Sequence, residues 1–369
     1  MDVSVFSFFS GSGFLDLGFE TNGFRVDFVN ENHRPFVEAY KYARSRLGID
    51  EPKFGHSLVS IEEFTNGSHK TTLSEHVTRI KNSGTLVGFI GGPPCPDFSI
   101  AGKNRGKKGS NGKLSETYVQ TIIDQKPDFF VFENVKGLWR TKKHREFYEH
   151  LKRRVRGAGY STTERLMNAL EFGVPQDRDR IFLVGVKSKL TPNRISETFQ
   201  WTRFTSYNKD DVLSTLVWPR AEKFEPGSSK PIPTSIAPYE ELTVEYWFRQ
   251  NCVASHPNCD AHFTPRSGIE RMKSVDEGDD SRKSFKRLHR WRYSPTAAYG
   301  NNEVHLHPYE VRRISAAEAL AIQSLPKDFE LPEDMSLSNM FKTIGNGVPY
   351  LAASGLAKTI KCFIDENVG

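Results

Sequence analysis

The sequence predicts an α/β fold with a mainly parallel sheet, into which a second, irregular region is inserted. In the first half, short apolar runs alternate with longer stretches of helical spacing, as in consecutive βαβ units. After about Lys187 this pattern gives way to isolated aromatic residues, Pro, Ser and charge, as in "WPRAEKFEPGSSKPIPTSIAP". Helical spacing resumes at "RRISAAEALAIQSLP". We therefore expect one domain from residues 1–187 and 306–369 and another from residues 188–305.

The elements of the first domain can be placed in order along the chain. The expected strands are the apolar runs Val3–Phe9, Phe24–Asn30, Leu86–Ile90, Asp128–Phe132 and Ile181–Val186. Helical spacing is found in His33–Leu47, Ser115–Gln125 and His144–Gly157, and the last of these ends at a glycine suited to a helix stop. Another helix is expected from near Pro349, because proline is favoured in the first turn of a helix.

The composition is that of a globular protein, since 37% of the 369 residues are hydrophobic and 26% are charged. No apolar run is long enough to span a bilayer, and "MDVSVFSFFSGSG" lacks the basic start of a secretory signal. The cysteines are too few and too scattered for a disulfide framework. These observations predict a cytoplasmic protein that does not associate with membranes.

The chain is basic, with a formal net charge of +6 and a pI near 9.0. Its basic residues cluster in residues 103–113, 140–156 and 282–292. Such patches favour a polyanionic partner such as nucleic acid. Charged runs are more often solvated faces than binding sites, so charge alone supports nucleic acid only weakly.

A glycine-rich turn follows the first strand in "FFSGSGFLDLGFE", Phe8 to Glu20. Glycines there let a ligand approach the backbone, although a plain strand-to-helix turn explains them equally well. The spacing matches neither the dinucleotide fingerprint nor the Walker phosphate loop. Glu31 closes the next strand, where a carboxylate can bind both hydroxyls of a ribose. Together these features suggest a cofactor that contains adenosine and needs no pyrophosphate.

A lone cysteine stands among prolines and glycines in "GGPPCPDFS", Gly91 to Ser99. Because the preceding strand ends at Ile90, Cys95 is expected at the carboxyl edge of the sheet, where open α/β folds place their sites. Most free cysteines are simply small buried apolar residues. Here the rigid turn holds the sulfur in place and the basic residues that follow favour the thiolate, so we favour a nucleophile.

Two further motifs bring charged residues to the same region. The strand "FFVFENV" delivers Glu133 to this edge, where a buried carboxyl can act as an acid or hydrogen-bond partner. "PQDRDRIFLVGV" places Arg178 and Arg180 two residues apart, hence on one face if the chain is extended. The alternative in both motifs is a structural ion pair, and it can account for one of the two arginines.

The motifs follow one another as F-S-G-x-G, P-P-C, E-N-V, Q-x-R-x-R, "RRISAAEALAIQSLP" and "IGNGVP". This series resembles that of the DNA cytosine-5 methyltransferases over residues 1–187 and 308–350. The resemblance implies a Rossmann-like, S-adenosyl-L-methionine-dependent methyltransferase domain with a smaller, irregular target recognition domain. It also implies double-stranded DNA as the partner and, as in bacterial restriction-modification systems, protection from a cognate restriction endonuclease.

The resemblance assigns catalytic roles by matching position. Cys95 resembles the nucleophile that adds to C6 of a flipped cytosine, so that C5 can take a methyl group. Glu133 resembles the residue that engages N3 and the amino group of the base. Arg180, and secondarily Arg178, resembles the cation that holds the base oxygen. The basic stretch Gly102–Lys113 matches a mobile loop that closes over DNA.

The same match implies a pocket for S-adenosyl-L-methionine. A glycine turn would surround the methionine and adenosine, a carboxylate would bind the ribose, and the late "IGNGVP" motif would complete the pocket. The implied residues are Phe9, Ser10, Gly11, Gly13, Glu31, Asn32, Pro93, Asn346 and Val348.

The chain departs from the family pattern in several places. Phe14 stands where the first motif usually has a second glycine, and Ser7 stands where it usually has aspartate. His56 and Ser57 of "FGHSLVSI" occupy the place of the third-motif aspartate, which binds the adenine amino group. Pro96 replaces the glutamine that commonly follows the nucleophile in bacterial members, so we expect different DNA contacts there.

Two other functions are compatible with the motifs. A tRNA cytosine methyltransferase shares this architecture, and a DNA-binding module that has lost catalysis would keep the recognition region. The long variable segment favours an enzyme that reads DNA, and intact Cys95, Glu133 and Arg180 oppose the inactive module. We expect the protein to be a monomer.

Four side chains with metal-binding chemistry lie close together in "NCVASHPNCDAH": Cys252, His256, Cys259 and His262. Their C-x3-H-x2-C-x2-H spacing is not that of a common zinc finger. We therefore favour a loop whose polar residues contact DNA or solvent over a zinc site, and we expect no metal.

Overall fold

The computed structural model describes residues 1–94, 110–191, 195–265, 268–282, 284–297, 299 and 303–368. Cys95, Pro96 and residues 102–109 of the basic stretch lie outside this part of the chain. None of the described helices is both long and apolar enough to cross a bilayer.

The described residues form a seven-stranded sheet with helices on both faces. The strands are β1 (Val3–Phe8), β2 (Arg25–Asn30), β3 (His56–Ser57), β4 (Leu86–Gly91), β5 (Phe129–Val135), β6 (Tyr160–Asn168) and β7 (Asp179–Lys187). The helices are α1 (Phe14–Glu20), α2 (Arg34–Arg46), α3 (His69–Lys81), α4 (Ser110–Gln125), α5 (Lys136–Arg140), α6 (Lys142–Gly157), α7 (Ile195–Thr198), α8 (Val244–Gln250), α9 (Ile269–Lys273), α10 (Ala316–Ile322), α11 (Leu337–Asn346) and α12 (Tyr350–Asn367).

The sheet order is β3-β2-β1-β4-β5-β7-β6. The first five strands in this order pair in parallel, whereas β7 runs antiparallel to both β5 and β6. The carboxyl ends of the parallel strands therefore meet at one edge, and the start of β7 joins them there. The predicted α/β class with a mainly parallel sheet is confirmed.

Alternation along the central strands divides the core into two layers. Val3 and Val5 of β1 pack with α1 and α12 on one face, whereas Phe6 and Phe8 pack with α3 and α4 on the other. Side chains two residues apart on a strand share a face. Because both faces are covered, the central strands are mostly apolar, which is why they stand out in the sequence.

All the predicted strands and helices are present, but within residues 1–187 and 306–368 the sequence reasoning missed α3, α5, α11, β3 and β6. β6 has the sequence "YSTTERLMN" and is an edge strand that pairs only with β7, so most of its positions are only partly buried. α3 buries only Leu73, Val77 and Ile80 among polar residues. Both elements contain few apolar residues because one side of each contacts solvent, so their sequences do not stand out.

The inserted region consists largely of short helices and turns, as its composition predicts. Its packing extends beyond both predicted boundaries. Phe199 packs against Phe363 of α12, with ring centroids 5.4 Å apart. Val244 and Phe248 of α8 share a core with α10 and α11. The inserted region is thus anchored on the sheet domain near its start and through α8.

Gly88→Ala tests the close packing of the central strands. A Cβ at this position of β4 would overlap the ring of Phe129, which is only 1% exposed and cannot move aside freely. Overpacking of this kind costs about 1–3 kcal/mol. We expect a lower urea midpoint for unfolding. Gly157→Ala, which has open space around the new Cβ, is the matched control, and equal midpoints for the two variants would contradict this account.

Candidate active site at the carboxyl edge of the sheet

A cavity of about 680 Å³ lies at the carboxyl edge of the parallel strands, where open α/β sheets place their ligands. Its volume is in the range of small-molecule sites. Segments that follow β1, β2, β4 and β5 line it together with residues of α1 and α11. The predicted residues on its surface are Phe9, Ser10, Gly11, Glu31, Asn32, Pro93, Glu133, Arg180, Asn346 and Val348.

The turn after β1 depends on glycine. The backbone φ is 58° at Gly11 and 79° at Gly13, values that L side chains rarely adopt. A Cβ on Gly13 would overlap the ring of Tyr40. Nη2 of Arg44 donates a hydrogen bond of 2.7 Å to the Gly13 carbonyl. Gly13 thus lies behind the cavity surface and shapes the turn that brings Gly11 to it.

Glu31 is held in place by two backbone amides. Its Oε2 accepts a hydrogen bond of 3.1 Å from the amide of Gly11, and its Oε1 accepts one of 2.8 Å from the amide of His33. Burial raises the pKa of Glu31, and these two hydrogen bonds oppose that rise. The carboxylate is therefore oriented at the cavity wall by the same turn that carries Gly11.

Glu133 and Arg180 form an ion pair inside the cavity, with Nε 3.0 Å from Oε1. Burial raises the pKa of Glu133, and the charges of Arg180 and Arg178 oppose the rise. Gly92 lies against this carboxylate, since a Cβ there would be 2.6 Å from Oε2. The arrangement presents a buried carboxyl and a guanidinium side by side, which suits a neutral ring that offers both donors and acceptors.

The end of β5 is also tied to the segment that precedes Cys95. Nδ2 of Asn134 donates a hydrogen bond of 3.3 Å to the Pro93 carbonyl. Pro93 and Pro94 line the cavity. Cys95 itself lies outside the described residues, so its position relative to Glu133 remains a prediction from the sequence.

Arg178 lies elsewhere, although it is only two residues from Arg180. Its side chain is 1% exposed and donates hydrogen bonds to the carbonyls of Ala297, Gly345 and Gly347. Burial lowers its pKa well below the usual value. β7 begins at Asp179, so Arg178 directly precedes the strand. Its charge nevertheless acts on Glu133 and Arg180. The structure does not place it among the cavity-lining residues.

The late "IGNGVP" motif closes the cavity from the C-terminal part of the chain. Asn346 and Val348 line it, and Gly347 lies between them. A Cβ on Gly347 would overlap the ring of Phe14. Phe14 also packs edge-on against Phe329, with ring centroids 5.2 Å apart. Phe14, where the family usually has glycine, therefore packs over a glycine in the late motif.

Two cavity residues of the N-terminal part form a buried hydrogen bond. Oγ of Ser7 donates to Oδ1 of Asp16 at 2.8 Å, and Asp16 is completely buried. Burial raises the pKa of Asp16 to about 7, against the opposing charge of Arg44. Ser7 stands at the position of the usual first-motif aspartate, and Asp16 supplies a carboxyl directly beside it.

Sequence reasoning missed Asp16, Lys342 and Thr343, which also line the cavity. Oγ1 of Thr343 lies 2.7 Å from Oγ of Ser12, so α11 is hydrogen-bonded to the glycine turn. Helical spacing could have identified Lys342 and Thr343, because they stand four and three residues before Asn346 on α11.

The third-motif departure is not compensated by His56 at the main cavity. His56 lines a second cavity of about 320 Å³, where its Nδ1 lies 3.3 Å from Oε2 of Glu51. Burial lowers the pKa of His56 to about 4, so the ring is neutral at neutral pH. Ser57 lines the same second cavity.

His256 uses both ring nitrogens within the protein. Its Nδ1 accepts from the Asn258 amide at 3.0 Å, and its Nε2 lies 3.2 Å from the Phe329 carbonyl oxygen. In the described part of the chain no group of three or more potential ligands is placed to hold a metal ion. The cluster Cys252, His256, Cys259 and His262 is thus not assembled as a zinc site.

Comparison with known proteins identifies the family. Residues 3–362 match the sequence profile described as "C-5 cytosine-specific DNA methylase". The chain belongs to this family. It is therefore a DNA cytosine-5 methyltransferase, as the motif series indicates, and its substrate is DNA.

Relatives of this methyltransferase share nearly its whole length. The Type II methyltransferase M.NmeDI of Neisseria meningitidis serogroup C is 59% identical over 363 residues, which cover 98% of this chain and 84% of that protein. The Type II methyltransferase M.FnuDI of Fusobacterium nucleatum is 28% identical over 366 residues, which cover 97% of this chain and 94% of that protein. The family assignment thus extends through the inserted region.

Solved structures agree in fold. A candidate DNA modification methyltransferase from an E. coli prophage superposes with a TM-score of 0.68 at 22% identity, covering 99% of this chain and 100% of that one. The Dnmt2 methyltransferase of S. pombe gives a TM-score of 0.59 at 12% identity, with 99% of both chains covered. The Rossmann-like fold of the methyltransferase is therefore confirmed.

Gly92→Ala tests the placement of the Glu133 carboxylate. The added methyl group would displace Oε2 and weaken the ion pair with Arg180, and a misplacement of about 1 Å can cost about 100-fold in rate. We expect kcat/KM for DNA methylation to fall by about that factor in a radiolabel transfer assay. Thermal stability should stay near that of the parent protein, because the new Cβ contacts only Glu133. Unchanged kcat/KM would refute this role for Gly92.

Asp16→Asn tests the raised pKa of the buried carboxyl, which faces Ser7, Glu20, Tyr40 and Arg44. The native state holds a proton at Asp16 up to about pH 7, whereas the unfolded chain releases it near pH 3.8. The free energy of unfolding of the parent should therefore decline between about pH 4 and pH 7, by up to about 4 kcal/mol. The variant lacks this contribution. Urea unfolding of both proteins at pH 5 and pH 8 measures the difference, and parallel pH profiles would exclude it.

Proposed function

We propose that this methyltransferase uses S-adenosyl-L-methionine to methylate C5 of a cytosine that is flipped out of double-stranded DNA, through a covalent adduct with Cys95. The observation that carries the proposal is that one cavity brings together the glycine turn, the Glu31 carboxylate and the Glu133–Arg180 pair. These groups come from separate parts of the chain. The first two suit an adenosine cofactor, and the third suits a pyrimidine base.

The cavity residues fit the proposed cofactor. Gly11 lines the cavity, and a Cβ built there would be in ordinary contact with Oγ1 of Thr343 at 3.8 Å, so the bare backbone of Gly11 faces the cavity without a close neighbour. The oriented Glu31 carboxylate can accept hydrogen bonds from both hydroxyls of a ribose. The ring of Phe9 and the side chain of Val348 supply apolar surface. Bound S-adenosyl-L-methionine would supply the activated methyl group.

The chain's own residues account for activation of the base. The Cys95 thiolate forms a bond to C6 of the cytosine, and the electron pair of the C5–C6 double bond becomes available at C5. Glu133 would hydrogen-bond N3 and the amino group, and Arg180 would hold the base oxygen as negative charge develops on the ring. After C5 has gained its methyl group, loss of the C5 proton and of the thiolate restores the double bond.

Burial of Glu133 is consistent with this role. A raised carboxyl pKa favours the protonated acid, which can donate a hydrogen bond to N3 while the second oxygen accepts one from the amino group. The charges of Arg180 and Arg178 oppose the rise in the pKa of Glu133. The pair therefore presents hydrogen-bonding groups to one edge of the base.

The target base must leave the duplex, at a cost of a few kcal/mol. We assign the reading of the DNA site to residues 188–305 and closure over the flipped base to the basic stretch 102–113. We also propose that the enzyme acts as a monomer and protects DNA from a cognate restriction endonuclease, since its relatives are named Type II methyltransferases.

Expression in cells that lack cytosine methylation tests the function directly. Bisulfite sequencing of their DNA should reveal one short motif with protected cytosines, because the enzyme reads a specific site. Cys95→Ser should abolish the protection and retain cofactor binding by calorimetry, since the thiol acts on the base. Glu133→Gln should lower the rate by about 10²–10⁴-fold. Unprotected DNA accompanied by methyl transfer to tRNA would replace this proposal with the tRNA enzyme.

A further inference from the structure

Arg178 lies at a junction of three separate parts of the chain. Its Nη1 donates to the carbonyl of Ala297, in the inserted region, at 3.0 Å. Its Nη2 donates to the carbonyls of Gly345 and Gly347, in the late cavity motif, at 2.8 and 3.0 Å. The residue itself directly precedes β7 and is 1% exposed. One buried guanidinium therefore holds the inserted region and the cavity wall together.

Neighbouring glutamines extend the junction. Oε1 of Gln176 accepts a hydrogen bond from the Ala297 amide at 3.0 Å, and its Nε2 donates to Oε1 of Gln323 at 3.1 Å. Nε2 of Gln323 in turn donates to the carbonyl of Ile344. Both glutamines are completely buried. The backbone at 297 and the backbone at 344–347 are thus connected by a continuous set of buried hydrogen bonds.

The acceptors of Arg178 are three backbone carbonyls and, at 3.4 Å, Oε1 of Gln176, and Arg178 forms no ion pair within the described residues. A buried charge that is stabilised by carbonyl dipoles requires all of them in place, because each lost acceptor leaves a charged donor unsatisfied. A displacement of the backbone at 297 would therefore alter the hydrogen bonding at 345 and 347. Asn346 and Val348, which line the cavity, alternate with these two residues.

Direct packing reinforces the link. A Cβ on Gly345 would lie 3.1 Å from the Tyr299 amide nitrogen and 3.4 Å from the Ala297 carbonyl oxygen. The inserted region therefore lies against the late motif with no side chain between them. A shift of the backbone at 297–299 would therefore press directly on the backbone at Gly345.

We propose that Arg178 is a positioning residue that couples engagement of DNA by the inserted region to binding of the cofactor in the cavity. The inference rests on the proposed function for its two ligands. It assigns Arg178 a role through the backbone at 297, 345 and 347, distinct from the contact of Arg180 with Glu133. By linkage, the cofactor strengthens DNA binding by the same factor with which DNA strengthens cofactor binding.

Calorimetric titration with S-adenosylhomocysteine, which cannot donate a methyl group, measures the coupling. The dissociation constant is determined without DNA and with a saturating duplex that carries the site found by bisulfite sequencing. For the parent protein we expect DNA to tighten binding by about 5–150-fold, the usual range of coupling between sites. For Arg178→Met we expect less than a twofold difference between the two titrations.

Arg287→Met is the matched control. Arg287 is also 1% exposed and also donates to backbone carbonyls, namely those of Val275, Met272, His307 and Glu310, but all of its acceptors lie away from the late motif. We expect a comparable loss of thermal stability with the coupling preserved. A loss of coupling in both variants would indicate a general loss of stability and would overturn the proposal.

Two further variants keep the test decisive if Arg178→Met does not fold. Arg178→Lys retains the charge but has a single nitrogen that cannot serve both sides of the junction. Gln323→Met removes the hydrogen bonds of Gln323 to the late motif and to Gln176 and leaves Arg178 in place. Both should lower the coupling by at least threefold.

Parent-like coupling in a folded Arg178 variant, or a parent protein that binds both ligands without coupling, refutes the inference. A parent that binds no S-adenosylhomocysteine at all refutes the proposed cofactor instead.

Discussion

The active site depends on the direction of one strand. β7 runs antiparallel to β5, so its first residues pair with the last residues of β5, and Arg180 lies opposite Val135. If β7 were parallel, its start would lie at the other edge of the sheet, a distance of about 30 Å for a strand of nine residues. The 3.0 Å contact between Arg180 and Glu133 exists because the sheet departs here from parallel order.

The boundaries of β7 also explain why two arginines so close in sequence have different environments. Arg180 is within the strand and faces Glu133, whereas the preceding Asp179 faces the other way and binds Lys136 and Lys209. Arg178 precedes the strand and points into the interior. That both arginines share a face remains a prediction from an extended chain over these three residues. A sequence pattern does not reveal at which of these residues the strand begins.

Much of the site was predictable because it lies on strongly apolar strands and in ordered motifs. The strands that end near Phe9, Asn30, Ile90 and Phe132 have both faces covered, so their composition marks them clearly. Asp16 was not predictable in this way, and Thr343 could have been identified only from its helical spacing to Asn346 on α11. Their roles come from contacts across the fold: Asp16 bonds Ser7, and Thr343 bonds Ser12 some 331 positions away. Such contacts depend on how β1 meets α1 and on how the glycine turn meets α11, which local patterns do not specify.

The departures from the family pattern at Phe14 and Ser7 have a common physical basis. Each change has a partner that accommodates it: Phe14 occupies space left free by Gly347, and Ser7 donates to Asp16. A residue that differs from the family therefore does not by itself indicate a changed pocket. The shape of the pocket is set by pairs of contacting residues. The second residue of such a pair can lie far along the chain, as Gly347 does from Phe14.

The contacts of α1 and the glycine turn with α11 and α12 have a consequence for how the protein matures. Phe14 meets Gly347, and α1 packs along α12 in the same core. During synthesis the N-terminal half of the cavity therefore emerges from the ribosome long before its other wall. Contacts between such distant segments form late in folding. A nascent chain cannot assemble the complete cavity until α11 and the late motif that follows it have been made.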